Sequence, residues 1–237
     1  MKKAGSVLII VVFVFSKLGF TTMTKEKLLE SAPQLKKSLE SSREEVSIEA
    51  VNEMDNFYEV VLKVKGQKKI IYLTKDFKYM ILGSLIDKDN RNITRERLKE
   101  LNKIDFSTLP LQDALTYKVG NETKKIVVFV DPFCPHCKNL VNYLKQQKDF
   151  TLYMFIFPLS RKSEEAGIKI LCSPNPLDAY LNPENLKETC EEGEKKLFFH
   201  SLFARSLYLK GAPFVILEDG TNFYGFNKEL LDKFFAH

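Results

Sequence analysis

The stretch Ile126-Val127-Val128-Phe129-Val130-Asp131-Pro132-Phe133-Cys134-Pro135-His136-Cys137 decides the fold. Its five leading apolar residues, rich in valine, predict a strand, and Asp131-Pro132-Phe133 bridges into a helix. Beyond the bridge, Cys137, Leu140, Val141 and Leu144 recur at i, i+3, i+4 and i+7, one face of that helix. Pro135 suits the first turn, where its missing N–H has no helical partner to lose. This phasing turns Cys137 towards the core and leaves Cys134 at the exposed helix start. There the unpaired N–H groups and the positive end of the helix dipole favour a thiolate. His136 adds a positive or hydrogen-bonding group acting in the same sense, or is simply exposed. A thiolate beside a second cysteine attacks a disulfide and is released by its neighbour. The pair therefore points to thiol–disulfide exchange, with Cys134 attacking and Cys137 resolving.

Working outward, the rest of the composition narrows the class. The chain has 237 residues, room for one large or two modest domains, and 44% hydrophobic residues are enough for a sizeable core. The formal charge is +5, but Lys2, Lys3 and Lys17 lie in a candidate leader, and without them +2 remains, which gives no case for nucleic-acid binding. Lys2-Lys3 followed by the apolar run Val7 to Phe15 reads as a secretory signal over residues 1–21, with an uncleaved anchor as the alternative. Export implies an oxidising compartment. Of the four cysteines, the close pair is Cys134 with Cys137, leaving Cys172 with Cys190 as a structural crosslink around a polar loop. One Cys-x-x-Cys supplies two ligands, and no second such pair or paired-histidine motif follows, so no metal site is expected.

The flanking segments set the organisation. Lys25 to Ser42 is helical in pattern and divided at Pro33. Phe57 to Val64, Lys69 to Leu73 and Lys78 to Ile86 read as antiparallel strands, making residues 22–90 a small helix-plus-sheet domain whose modest core would gain from dimerisation. Thr94 is placed as the cap of a helix from Arg95 to Asn102 within a linker over residues 91–108. Ala114 to Val119 and Lys125 to Val130 flank Gly120-Asn121, consistent with a hairpin. Leu152 to Phe157 is a strand, Glu164 to Cys172 and Pro183 to Lys210 are largely helical, and Asp219-Gly220 joins Phe214–Leu217 to Asn222–Tyr224 as a hairpin. Asn227 caps a final helix. His200, among Phe198, Phe199 and Phe203, reads as a core or rim histidine.

Strand, Cys-x-x-Cys helix, strand, helical insert, hairpin and helix is a thioredoxin-like order, an α/β domain spanning residues 109–237. Gly211-Ala212-Pro213-Phe214 precedes a strand where that fold places a cis-proline opposite the Cys-x-x-Cys helix. There the Ala212 backbone would pair with an extended substrate, and Pro213 would keep other groups off the thiols.

Taken together the chain resembles the bacterial periplasmic disulfide isomerases of the DsbC/DsbG family. The resemblance is carried by Ile71-Tyr72-Leu73-Thr74 through Ile81-Leu82-Gly83, Val128-Phe129-Val130-Asp131 before Cys134, and Phe157-Pro158. It extends to Cys172 and Cys190, Gly211-Ala212-Pro213 and Asp219-Gly220-Thr221. It implies a homodimer joined through the N-terminal domains, unfolded or misoxidised exported proteins as substrates, and a membrane thiol reductase of the DsbD type as electron donor. No cofactor is implied beyond the redox-active Cys134–Cys137 pair. Two positions depart from the family. Pro135-His136 is the pair of the oxidising DsbA-type enzymes, where DsbC typically has Gly-Tyr, and Ala212 stands for the usual threonine. Both positions adjoin the sulfurs and tune the redox poise. The competing readings are therefore a DsbA-like dithiol oxidase on the same scaffold and a periplasmic chaperone with secondary redox activity.

Overall fold

The computed structural model describes residues 23–236, so the leader read over residues 1–21 lies outside the described residues. Two sheets organise the chain. The first begins with two short helices, α1 (Lys25–Ser31), capped by Thr24, and α2 (Pro33–Glu40), with Ala32 between them and Pro33 in the first turn of the second. The strands β1 (Val46–Glu53), β2 (Phe57–Val64), β3 (Gln67–Thr74) and β4 (Met80–Ile81) follow in sheet order, all antiparallel. Lys65 and Gly66 both take positive φ, the two-residue turn that matches the twist of paired strands. Leu28, Ala32 and Leu35 pack on one face against Tyr58, Val60, Leu62, Ile71 and Leu73. Helix α3 (Ile93–Leu101) covers the other face, placing Leu98 and Leu101 against Val61, Ile70 and Tyr72. Burial on both faces explains why β2 and β3 read as nearly continuous apolar runs.

Two expectations for this half are corrected. Asn92, not Thr94, caps α3, its side-chain oxygen accepting from Arg95 N–H at 2.8 Å. Thr94 is buried in the first turn instead, bonded to the Tyr72 hydroxyl at 2.6 Å and accepting from Leu85 N–H. The stretch Lys78 to Ile86 contributes only the two residues of β4 to the sheet. Phe77 takes a left-handed conformation, and beyond Ile81 the chain leaves the sheet until Ile86 bridges to Asn92.

The second sheet is built from β5 (Leu115–Val119), β6 (Lys124–Val130), β7 (Phe150–Ile156), β8 (Phe214–Leu217) and β9 (Asn222–Tyr224), in the order β5-β7-β6-β8-β9. Helix α4 (Pro135–Leu144) connects the parallel pair β6 and β7; α5 (Arg161–Cys172), α6 (Pro176–Leu181) and α7 (Glu191–Ser206) form the insert; α8 (Lys228–Ala236), capped by Asn227, closes the chain. Residues Ile126 to Val130 are fully buried. Ile126, Val128 and Val130 meet Leu140, Val141 and Leu144 of α4, while Val127 and Phe129 meet Phe155, Phe214 and Ala204 on the opposite face.

The hairpin read across Gly120-Asn121 is also corrected, because β7 lies between β5 and β6. Phe150 pairs with both Val119 and Lys124, and the Asp149 carboxylate accepts from Asn121 N–H at 2.8 Å, fastening the connection across the start of β7. Gly120 has φ +61°, and a Cβ there would collide with that carboxylate. The helical reading of Pro183 to Lys210 shrinks to one 3₁₀ turn at Pro183–Asn185 and helix α7.

Cys172, ending α5, is disulfide-bonded to Cys190, which caps α7 and accepts from Gly193 N–H at 3.3 Å. The two helices approach so closely here that a Cβ on Gly193 would strike the Cys172 sulfur. Replacing both Cys172 and Cys190 by serine is expected to cost about 3 kcal/mol, the loop-closure value for a crosslink across a separation of 18 residues. Denaturant unfolding of the variant and the native chain measures it, and the difference should vanish when both are reduced.

Candidate active site

The strand β6 ends in Asp131, and this buried residue organises the two loops that flank the candidate nucleophile. Its carboxylate accepts from Phe133 N–H and from Leu159 N–H, each at 2.8 Å. Its carbonyl accepts from Cys134 N–H and from the hydroxyl of Tyr180, both at 3.3 Å. The first contact is an Asx turn, the usual local use of aspartate ahead of a helix. The role of Asp131 was missed by reasoning from the sequence, although Asp-Pro between a strand and a helix start carries the signal. The Asp131→Ala variant is expected to lose about 1–3 kcal/mol, the cost of leaving such N–H groups unpaired. Asp131→Asn, which keeps one acceptor oxygen, should lose less, and urea unfolding of the two variants checks the order.

Cys134 occupies the N-cap of α4 with extended backbone. Its sulfur is partly exposed, accepts from Cys137 N–H at 3.4 Å, and lies 3.7 Å from the carbonyl of Ala212, to which the thiol donates. Cys137 is fully buried among Leu140, Val141 and the β6 side chains. Both are free thiols here. Burial, and secondarily the hydrogen bond with Cys134, pushes the Cys137 thiol far up. Cys137 therefore stays protonated while Cys134 is unengaged. Pro135 fills the first turn, and His136 beside it is exposed.

The Ala212–Pro213 peptide bond is cis, and the Pro213 carbonyl accepts from Gly225 N–H at 2.8 Å, joining this loop to the end of β9. Ala212 is thus held against Cys134 from the far side of the sequence, 78 residues away. The structure brings Cys134, Cys137, Ala212 and Pro213 together; Cys172 and Cys190 lie apart from them at the α5–α7 junction. Among the described residues no group of three or more His, Cys, Asp or Glu is placed to hold a metal ion.

The fold and this arrangement of sulfurs define a thioredoxin-like protein with a dithiol at a helix start. The sequence agrees with the geometry: residues 111–233 match the thioredoxin-like domain family, and residues 26–95 match the N-terminal domain of the disulfide bond isomerase proteins. The chain belongs to the thioredoxin-like domain family, whose match spans just over half of it. A probable thiol:disulfide interchange protein DsbC from Bordetella avium is 33% identical over 66% of this chain and 58% of its own length. The thiol:disulfide interchange protein DsbC of Escherichia coli is 25% identical over 69% of this chain and 73% of its own. The matches thus span just over half the length of the first Bordetella relatives, 58% and 56%. A solved disulfide interchange protein from Neisseria gonorrhoeae is 22% identical, covers 53% of this chain and 96% of its own, and superposes with a TM-score of 0.47.

Proposed function

We propose that this chain is a periplasmic protein disulfide isomerase acting on misoxidised exported proteins through a mixed disulfide at Cys134. The observation that carries this reading is the division between the two sulfurs: Cys134 is accessible at the helix start, Cys137 is buried one turn behind it. The Cys134 thiolate attacks one sulfur of a non-native disulfide, forming the Cys134–substrate bond and releasing the other substrate sulfur as a thiolate. That thiolate attacks elsewhere in the substrate, and a final attack on the mixed disulfide frees Cys134 with no net change in oxidation state. If the intermediate persists, Cys137 resolves it. The enzyme pair is then oxidised and the substrate disulfide reduced, and a membrane thiol reductase of the DsbD type must return two electrons and two protons.

Substrate binding is supported by the Ala212 amide, which has no hydrogen-bond partner among the described residues and lies next to the nucleophile. An extended substrate segment pairs there as a strand does. No cofactor beyond the Cys134–Cys137 pair enters this chemistry. Export is supported by Lys2-Lys3 and the apolar run Val7 to Phe15. Among the described residues no helix is long and apolar enough to cross a membrane.

A homodimer joined through the N-terminal sheet completes the reading. Tyr79, Leu82 and Ile86, around the short strand β4, are 67%, 73% and 52% exposed, an apolar edge suited to a second copy. Sedimentation should give a dimer at micromolar concentration, and Leu82→Asp should shift it towards monomer; a native monomer contradicts the arrangement.

The second reading, a dithiol oxidase, is favoured by Pro135-His136 with His136 exposed beside the nucleophile. Reactivation of a scrambled multi-disulfide protein separates the two. An isomerase restores native pairing when supplied reduced, whereas an oxidase acts on reduced substrate when supplied oxidised.

A further inference from the structure

The proposed exchange at Cys134 leaves open which partners the site prefers, and the charges around the sulfur bear on this. Three segments meet there: Pro132 to Lys138, Leu159 to Ser163, and Leu207 to Leu217. None of them contains aspartate or glutamate, while they carry Lys138, Arg161, Lys162 and Lys210. The nearby Asp131 carboxylate is buried and accepts from two backbone N–H groups, so it is not presented to a partner at the surface. Arg161 is ion-paired with Glu165 and Lys210 acts on the Glu44 carboxylate, whereas Lys138 and Lys162 have no ion-pair partner among the described residues.

Lys162 is the better placed of the two. Its ammonium lies 4.2 Å from the centre of the Phe133 ring, and Phe133 is the residue before the nucleophile. Phe133 is anchored through its backbone N–H, which donates to the Asp131 carboxylate, and the start of α5 is anchored by Ser160, which accepts from Ser163 N–H at 3.1 Å. A cation resting on an aromatic face keeps its outward side free for an anion. An extended segment advances about 3.3 Å per residue, so a residue next to a substrate cysteine at Cys134 lies within a few ångströms of Phe133, on whose ring this ammonium rests.

We propose that this lysine rim selects protein partners whose reacting cysteine is flanked by acidic residues, with Lys162 as the specificity-determining residue. The proposal rests on the exchange chemistry assigned to Cys134 above. The bonds are the same ones: Cys134–S forms, the partner S–S breaks, and the electron pair leaves on the departing thiolate. Lys162 touches the flanking carboxylate and takes no part in the bond changes.

Three peptides of equal length, with the cysteine flanked by Asp, Asn or Lys and linked to a neutral chromogenic thiol, test this with the full reduced chain. Rates are divided by those of dithiothreitol with the same peptide, which removes intrinsic differences between the disulfides. At low salt the Asp peptide should react roughly fivefold faster than the Asn peptide, the size of one unit-charge contact at about 4 Å in water. The Lys peptide should be slowest, and the spread should collapse near 0.5 M salt, where screening acts within about 4 Å. Lys162→Gln should reduce the preference for the Asp over the Asn peptide at least by half, while Lys162→Arg retains it. Equal normalised rates for Asp and Asn peptides, or a preference unchanged in Lys162→Gln, overturn the selectivity alone. No reaction with any peptide overturns the exchange reading and the selectivity with it.

Discussion

Cys134→Ser is expected to lower the rate of disulfide rearrangement in a scrambled protein by roughly a thousandfold or more, since it removes the attacking atom. The fold should be untouched, because the serine oxygen keeps an acceptor for Cys137 N–H at the helix start. Cys137→Ser should behave differently. Attack survives, but the internal escape from a stalled intermediate is gone, so a mixed disulfide at Cys134 should accumulate and be visible by mass spectrometry under non-reducing conditions. The contrast follows from placement: one sulfur is reachable from solvent, and the other is enclosed and held in the thiol form by burial. A Cys134→Ser protein retaining more than a tenth of the native rate contradicts the assignment.

The second large effect concerns His200, which is fully buried on α7. Its Nδ1 accepts from Ile156 N–H at 3.0 Å, and its Nε2 lies 2.7 Å from the Asp113 carbonyl. A carbonyl only accepts, so Nε2 carries the proton and the ring is neutral. The imidazole thus ties α7 to the end of β7 and to the turn before β5, behind the sheet that carries the site. His200→Ala leaves two polar backbone groups without partners and opens a cavity, and is expected to cost about 3–5 kcal/mol. Burial, aided by Lys196 on the same helix and opposed by Asp113, holds its pKa below the ordinary histidine value. The unfolded chain therefore binds this proton at higher pH than the folded one. The stability contributed by His200 is complete above about pH 6.5 and is lost as the pH falls below it. Urea unfolding between pH 7.5 and 5 should show the native chain losing stability on acidification, with a smaller slope in His200→Ala.

How much of this was legible in the sequence depends on how local each feature is. Cys134 at a helix start and Cys137 on the core face follow from spacing within one turn, and Asp219-Gly220 specifies its hairpin from two residues. The division of the first helices at Pro33 is equally local. The strand order was not legible. Gly120-Asn121 has the chemistry of a hairpin, but the turn instead straddles β7, because Phe150 and Asp149, some thirty residues on, supply the partners. Thr94 and Asn92 are both good caps, and the choice between them is made by Tyr72, whose buried hydroxyl takes the threonine. Asp131 looked like a bridge between two elements. Its second bond, to Leu159 N–H, comes from a loop that sequence proximity does not reveal.

The central claim is tested most directly by alkylating thiols in intact cells and assigning the modified cysteines by mass spectrometry. The account predicts Cys134 and Cys137 mostly reduced, with Cys172 and Cys190 linked to each other. A pool in which the Cys134–Cys137 pair is mostly oxidised would contradict an isomerase and make the chain a dithiol oxidase on this scaffold.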